Sequence, residues 1–288
     1  MSSRRRLDVE LVRRGLAPSR QVAQRVIEAG GVTVGGAPAT KPARLVGPGE
    51  AVLVLGDPAR FVSRGGDKLD AALDRFAIDV AAARVIDIGA STGGFTDCVL
   101  QRGALEVVAV DVGYGQMHER LRADPRVHVR ERTDVRSITA EGIGGPGQVL
   151  VADLSFISVR SVSRNLVRLV ESGGSLVVLV KPQFEAGRQE VSKGRGVIRD
   201  PEIWLRTLEA AISQLRADGA AIMEAMPSPI TGAKGNVEFL VHGRTQASPS
   251  DLDGSPQSPS PGPLSAPDIA AVVAEACAQQ GPAQQGRA

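Results

Sequence analysis

The sequence is poor in the residues on which several kinds of protein depend. Its 288 residues include two cysteines and three histidines, which are too few for a disulfide framework and lack the spacing of zinc ligands. No metal site is therefore expected. Aromatic residues make up 3% of the chain, so we expect a core of mainly aliphatic side chains.

Long apolar segments are also missing. No apolar run approaches the roughly 20 residues that a membrane-spanning helix needs. The N-terminal stretch MSSRRRLDVELVRRG is basic and has no apolar region of the kind found in secretory signals. These absences predict a cytoplasmic protein that makes no membrane contact.

Positive charge is concentrated at the N-terminus, although the whole chain has a net charge of only +2. Residues 1–56 have nine Lys and Arg against four Asp and Glu. Such an asymmetry is typical of contact with nucleic acid or another anionic surface. A solvated surface without a partner explains the charge equally well, so charge alone leaves both interpretations open.

Composition divides the chain into four parts. Residues 1–57 are compact and rich in arginine, residues 58–64 form a linker, and residues 65–244 alternate apolar runs with amphipathic segments. Residues 245–288 begin with a Ser/Pro-rich stretch that has almost nothing to bury. We expect this tail to be disordered, with a weak helical tendency over residues 268–279.

Seven apolar runs in the third part are predicted strands, and helical stretches lie between most of them. The first five runs are β-branched, as in buried parallel strands, so we predict a doubly wound α/β sheet of the Rossmann-like class. The last two runs are too close for a crossover helix, which predicts antiparallel pairing. The predicted strands are 85–89, 106–112, 127–132, 149–156, 175–182, 220–226 and 237–243.

A glycine-rich turn, Gly89-Ala90-Ser91-Thr92-Gly93-Gly94, follows the first predicted strand. It departs from the GxGxxG spacing of dinucleotide-binding turns. Asp87 lies at the strand end, where a carboxylate repels a phosphate and favours a ligand with positive groups. S-adenosylmethionine is such a ligand, because it has a sulfonium and an ammonium group and no phosphate.

Three acids lie at successive strand ends, along the edge where ligands of open α/β sheets bind. They are Asp87, Asp111 and Asp134; we expect Asp111 to accept hydrogen bonds from ribose hydroxyls and Asp134 to meet the adenine amino group. Each could instead cap a helix or turn, but three in register favour a cofactor. The predicted cofactor-binding residues are Asp87, Gly89, Ser91, Thr92, Gly93, Gly94, Asp111 and Asp134.

Several segments together resemble a known family. The runs DIGASTGGFTDCVL, AVDVGYGQ, VADLSFIS, LVKPQFE and NVEFL are similar to the FtsJ-like ribose 2′-O-methyltransferases, in particular to the TlyA branch, which is often labelled hemolysin. The N-terminal region resembles the small α+β S4 RNA-binding domain of that branch. The resemblance implies S-adenosyl-L-methionine as methyl donor and cytidine of 16S or 23S ribosomal RNA, within assembled subunits, as substrate, with no obligate protein partner.

The family's four catalytic positions fall on Lys68, Asp153, Lys181 and Glu238. A ribose hydroxyl must lose its proton as it attacks the methyl group, and a lysine can accept that proton only in its neutral form. We expect Lys181 to be the general base, Asp153 to orient its amine, and Glu238 to position Lys68 as the orienting partner. The alternative is that these are surface lysines and a helix cap.

The S4 resemblance makes the basic N-terminal face a phosphate-binding surface. Arg4, Arg6, Arg20 and Lys41 are the predicted RNA contacts there, and Arg136 is a further candidate in the larger domain. Such contacts position an enzyme without reading bases.

Other chemistries and functions were weighed against ribose methylation. A base-carbon methyltransferase needs a nucleophilic cysteine, but Cys98 has the helical spacing of a packed core thiol. An amino-group methyltransferase usually has a proline-containing turn after the fourth strand, whereas this chain has Asp153-Leu154-Ser155-Phe156. A membrane-active cytolysin, as the family label suggests, and a non-catalytic rRNA-binding factor remain as alternative functions.

Overall fold

The computed structural model describes residues 4–17, 19–28, 30–55, 60–246 and 265–280. Among these residues, no helix is long and apolar enough to cross a membrane. Within the same ranges, no three His, Cys, Asp or Glu side chains are grouped so that they could hold a metal ion.

The N-terminal domain packs two helices against short antiparallel strands, as expected for a small α+β module. Buried Leu7, Leu11, Ala23, Ile27 and Val32 form its core. One pair of strands is β1–β4, and a three-stranded sheet has the order β3-β2-β5. The elements are β1 (Arg5–Arg6), α1 (Leu7–Arg13), α2 (Arg20–Glu28), β2 (Val32–Val34), β3 (Ala37–Pro38), β4 (Leu45–Val46) and β5 (Val52–Val54).

The larger domain is built on a seven-stranded sheet with the order β11-β12-β10-β9-β6-β7-β8. Five neighbouring strands, from β10 to β8, are parallel, and β12 is antiparallel to both of its neighbours. The predicted Rossmann-like sheet with an antiparallel last strand is therefore confirmed. The elements are α3 (Gly65–Arg75), β6 (Arg84–Ile88), α4 (Gly94–Gln101), β7 (Glu106–Val110), α5 (Glu119–Arg122), β8 (Val127–Arg130), β9 (Gly147–Ala152), α6 (Ser163–Arg168), β10 (Val170–Val180), α7 (Pro182–Glu185), α8 (Arg188–Lys193), α9 (Pro201–Ala217), β11 (Ala220–Pro227) and β12 (Phe239–Thr245).

Alternation of side chains along the strands divides the core into two layers. Val85 and Val107 face the side that α3 and α4 cover. Ile86 and Val108 face the opposite side, which α6 and α9 cover. Because both faces of the sheet are covered, the strand ends and the turns that follow them are where a ligand has access.

The C-terminal segment departs from the prediction. A helix, α10 (Ala266–Gln280), buries Ile269, Val272, Val273 and Ala276 in the core layer next to α9 and β11. The helical tendency expected over residues 268–279 therefore corresponds to α10, and the expected disorder does not extend to this helix. Its apolar side chains recur at helical spacing and are stabilised by burial. Residues 247–264 and 281–288 lie outside the described residues.

Candidate active site

The turn after β6 depends on glycine at two positions. Gly89 has φ of +82°, and a Cβ there would lie 2.5 Å from the carbonyl oxygen of Asp153. Gly93 has φ of +96°, and a Cβ there would collide with Leu121. A side chain at either position would be strained and crowded, so Gly89 lets the turn approach the end of β9, and Gly93 lets it pass Leu121 before α4 begins.

Asp111 fixes the next part of this edge. One carboxylate oxygen accepts a hydrogen bond from the backbone amide of Ser91 at 2.8 Å, and the other accepts from that of Gly113 at 2.6 Å. These residues border a cavity of about 560 Å³, which we call the strand-end cavity. The residues lining it include Gly89, Ser91, Val110, Asp111, Gln116, Asp134, Val135, Arg136, Asp153, Phe156 and Ile157.

Asp134 lies in the same cavity but has a partner within the protein. The guanidinium of Arg136 donates to its carboxylate at 3.0 Å, and the backbone amide of Arg136 donates at 2.9 Å. These hydrogen bonds lower the pKa of Asp134 to about 2, so the carboxylate stays ionised. The structure thus places Arg136, a predicted RNA contact, beside a predicted cofactor contact.

Asp87 does not have the predicted orientation. Its carboxylate is fully buried and accepts a hydrogen bond from the Thr96 hydroxyl at 2.6 Å. It lies one residue before the end of β6, on the same face as Val85, so its side chain passes beneath α4 rather than toward a ligand. Burial raises its pKa to about 7. Asp87 is thus not among the residues that line the strand-end cavity, and its contact with the cofactor stays a prediction.

The four predicted catalytic side chains line a second cavity, of about 240 Å³, which we call the catalytic cleft. Lys68 Nζ contacts Glu238 Oε2. Lys181 Nζ lies 2.5 Å from Asp153 Oδ1 and donates a hydrogen bond to the Ser155 hydroxyl at 3.1 Å. The structure thus brings Glu238 to Lys68 and Asp153 to Lys181, and the roles of the four residues stay predictions. Thr92 and Gly94 also line this cleft.

Strand register explains why residues so distant in the sequence meet. Val180, the last residue of β10, pairs with Phe239, the first residue of β12. In an antiparallel pair the next positions outward also face each other, so Lys181 and Glu238 extend from adjacent strand ends. Both lysines of the cleft are less than a tenth exposed, at 7% for Lys68 and 8% for Lys181.

Sequence reasoning missed an exposed aromatic pair beside the cleft. Phe156 is 91% exposed, and its ring centroid lies 5.2 Å from that of Phe184. Its φ of +65° is a strained conformation for a large residue. Both rings line a third cavity, of about 750 Å³, which includes Lys181 and Glu238. The available signal was a phenylalanine in a strand-end turn of a chain with few aromatic residues.

Two of the predicted RNA contacts share one buried carboxylate. The guanidinium groups of Arg6 and Arg20 donate to Asp8 at 3.0 and 2.8 Å, and Gln24 donates at 2.8 Å. Burial raises the pKa of Asp8, but these hydrogen bonds outweigh it and hold the pKa well below its ordinary value.

The other two predicted RNA contacts of the N-terminal domain are Arg4 and Lys41. Arg4 donates to Glu50 at 3.0 Å, and its side chain is largely exposed. Lys41 is exposed and precedes Pro42, whose carbonyl oxygen accepts from the backbone amide of Asp8 at 3.2 Å. The predicted RNA contacts of this domain therefore remain available to an external anion, although three of them have acidic partners.

Comparisons with known proteins agree with this architecture. The chain is 49% identical over 247 residues to the 16S/23S rRNA (cytidine-2′-O)-methyltransferase TlyA of Mycobacterium tuberculosis, covering 85% of this chain and 92% of that protein. It is 40% identical to Hemolysin A of Brachyspira hyodysenteriae, covering 82% and 98%. A solved structure from Streptococcus thermophilus that bears the name hemolysin superposes with a TM-score of 0.75 at 36% identity, covering 99% of this chain and 100% of that one.

Two family models match successive parts of the chain. The S4 domain model matches residues 5–52, and the FtsJ-like methyltransferase model matches residues 61–245. The matched regions are the two domains seen in the structure, and the second contains both amine–carboxylate pairs of the catalytic cleft. The chain therefore belongs to the FtsJ-like methyltransferase family and has an S4 domain before its methyltransferase domain.

Proposed function

We propose that this protein transfers a methyl group from S-adenosyl-L-methionine to the ribose 2′-hydroxyl of a cytidine in 16S or 23S ribosomal RNA. The observation that carries the proposal is the pairing of Lys68 with Glu238 and of Lys181 with Asp153 at one cleft. The names of its relatives support the substrate, since one of them is a 16S/23S rRNA cytidine-2′-O-methyltransferase.

The strand-end cavity suits the methyl donor. Its volume, about 560 Å³, is in the range of small-molecule sites. The carboxylates of Asp111 and Asp134 offer acceptors for ribose hydroxyls and an adenine amino group, and the turn has no phosphate-binding spacing. When bound, the donor supplies a methyl group that its positive sulfur makes electrophilic.

The residues of the cleft can orient and deprotonate the attacking hydroxyl. In this proposal Lys181 accepts the hydroxyl proton, while Asp153 and Ser155 hold its amine in place. Glu238 holds Lys68 against the hydroxyl, and Gln183 donates to the second oxygen of Glu238 at 3.3 Å. Because general base catalysis and alignment each lower the barrier, two fixed amines at one cleft are well suited to this reaction.

The RNA would be held by both domains. Arg6 and Arg20 on the N-terminal domain are half exposed and can bind phosphates without reading sequence. The exposed ring of Phe156 offers a stacking surface for a base that leaves its helix. This arrangement suits an RNA site within an assembled ribosomal subunit, where the target nucleotide must be turned outward.

A methyl-transfer assay tests the proposal. The purified protein is incubated with labelled donor and each ribosomal subunit, and ribose methylation is then mapped along the RNA. We expect label at a cytidine 2′-oxygen, and we expect Lys181→Ala to lose transfer while keeping RNA affinity. Equal transfer by Lys181→Ala and the wild type would contradict the catalytic assignment, and binding without any transfer would favour a non-catalytic RNA-binding factor.

A further inference from the structure

The catalytic cleft has a wall that the proposed reaction does not use. Gln21 and Arg25, on helix α2 of the N-terminal domain, line this cleft together with Arg64, which directly precedes α3. Lys68 and Lys181 line the same cleft. The N-terminal domain therefore contributes a cation directly to the surroundings of the reacting amines.

Among the residues that the structure describes, neither Arg25 nor Arg64 forms an ion pair, although the charge of Arg64 acts on the carboxylate of Asp67 and opposes the rise that burial causes in its pKa. The neighbouring Arg20 on α2, by contrast, forms an ion pair with buried Asp8 at 2.8 Å. The two lysines of the cleft are each matched by a carboxylate. The cleft consequently has two positive charges in excess, and both are guanidinium groups.

The side chain of Arg25 is also incompletely hydrogen-bonded. Its Nε is buried, and no acceptor lies within hydrogen-bond distance. Burial and, secondly, the charge of Arg64 lower the pKa of Arg25. A buried donor without an acceptor and two neighbouring like charges both destabilise the free protein, and an anion between the guanidinium groups would relieve both.

We propose that Arg25 and Arg64 together bind the RNA backbone phosphate next to the ribose that is methylated. The inference rests on the proposed function, because the ligand is a phosphodiester of the RNA substrate. Guanidinium groups present parallel N–H donors that match phosphate oxygens. The methyl donor is a weaker candidate because its sulfonium and ammonium groups are repelled here, and only its carboxylate could bind.

The assignment gives the N-terminal domain a second role. Arg6 and Arg20 would hold RNA at a distance from the reaction, whereas Arg25 would fix the phosphate beside the reacting sugar. A phosphate held there restricts the position of the 2′-hydroxyl relative to Lys181. Loss of Arg25 should therefore lower both RNA affinity and the rate of transfer from bound RNA.

The test uses the full-length protein with Arg25→Gln, which removes the charge, and Arg25→Lys, which keeps the charge but loses the paired donors. Arg168→Gln is the matched control, because Arg168 is exposed at the end of α6, next to the start of β10 and opposite the strand ends of the cleft. RNA affinity is measured between 50 and 200 mM salt, transfer is measured in single turnovers, and donor affinity is measured by calorimetry.

We expect Arg25→Gln to bind RNA about tenfold more weakly at low salt, with the salt-induced loss of affinity reduced by about threefold, as for one phosphate contact. Arg25→Lys should keep the salt dependence of the wild type but transfer more slowly. Arg64→Gln added to Arg25→Gln should cost less than the sum of the single changes, because both residues hold one phosphate. Arg168→Gln should match the wild type.

Two results would overturn the inference. An unchanged salt dependence in Arg25→Gln would exclude a phosphate contact, and weaker donor binding in its place would assign the arginines to the donor carboxylate. RNA binding is measured independently of methyl transfer. A wild-type protein that binds RNA without methylating it would contradict the proposed function, but the salt dependence of Arg25→Gln would still test the phosphate contact of Arg25.

Discussion

Two fully buried carboxylates, one in each domain, differ in their ionisation. Asp8 accepts hydrogen bonds from two arginines and a glutamine, which outweigh its burial and hold its pKa well below the ordinary value. Asp87 has the Thr96 hydroxyl as its side-chain donor, and burial together with the charges of Asp153 and Asp111 raises its pKa to about 7. Burial alone therefore does not decide the charge of a carboxylate; the number of cationic donors does.

The carboxylates of the catalytic cleft have fewer cationic partners than Asp8 has. Glu238 and Asp153 each face a single cation, and both of those cations are buried lysines. In the N-terminal domain the cations around Asp8 are arginines with 42% and 56% of their side chains exposed. Exposed guanidinium groups suit electrostatic binding, whereas buried amines suit proton transfer.

We expect the largest effect from a substitution that breaks an amine–carboxylate pair in the catalytic cleft. Lys68→Met should lower methyl transfer by about 100- to 10,000-fold, because it removes one of the two positioned amines. RNA affinity should change little, since the proposed phosphate contacts are arginines and Lys68 is already paired with Glu238. Single-turnover transfer and RNA binding, measured beside Arg168→Gln, check this, and a loss confined to RNA affinity would contradict it.

Breaking the corresponding pair in the N-terminal domain should affect stability and binding rather than chemistry. Asp8→Asn should destabilise this domain by about 3 kcal/mol, since two charge-assisted hydrogen bonds are weakened. Because the pKa of Asp8 is lowered on folding, the wild type should lose this stability as the pH falls below about 4, and the variant should not. Denaturant unfolding at several pH values measures both effects, and unchanged donor affinity is the control.

A pair of glycine variants compares the packing of the two regions. Gly89 and Gly35 both have positive φ, but a Cβ at Gly35 would meet nothing within 4 Å. Gly89→Ala should therefore lower the free energy of unfolding by about 2 kcal/mol more than Gly35→Ala. Both variants place a side chain at a positive φ, but only Gly89→Ala also collides with the Asp153 backbone. Thermal unfolding and donor affinity measure the difference, and equal costs would show that the turn can move away from β9.

The last comparison concerns the ionisation of Asp87. Because its pKa is raised on folding, its contribution to stability is complete below about pH 4 and falls as the pH rises to about 7. Asp87→Asn should remove this slope, which is at most about 1.4 kcal/mol per pH unit. His242, whose pKa burial lowers to about 4, gives the opposite slope, so the difference between variant and wild type is the quantity to measure. A constant difference from pH 4 to 7 would contradict the assignment.

Much of the fold could be predicted because the strands are continuous apolar runs that are buried on both faces. The antiparallel last strand followed from the short connection between two runs, and the register of β10 with β12 then accounts for the meeting of Lys181 and Glu238. The helix between β7 and β8 is limited to Glu119–Arg122, because the preceding glycines form a turn at the edge of the strand-end cavity.

The remaining errors have physical causes that composition does not reveal. Position at a strand end predicts that Asp87 faces a ligand, but alternation along β6 places its buried side chain on the same face as Val85. The tail sequence predicts a weak helix over residues 268–279, but it does not reveal that the apolar face of α10 is buried against the larger domain. The sequence does not distinguish Arg25 from the other N-terminal arginines, and only the packing of the two domains brings it to the cleft.

The contacts of Arg75 have a practical consequence for handling this protein. Arg75 ends α3, the helix that begins beside Lys68, and its guanidinium contacts Glu224 of β11 at 3.0 Å and Glu275 of α10 at 3.3 Å. Shortening the gene at the end of the last strand would delete one of these anchors and leave a hydrophobic groove open to water. A shortened version made for crystallisation or screening should therefore keep residues 265–280. An affinity tag should follow these residues and should not replace them.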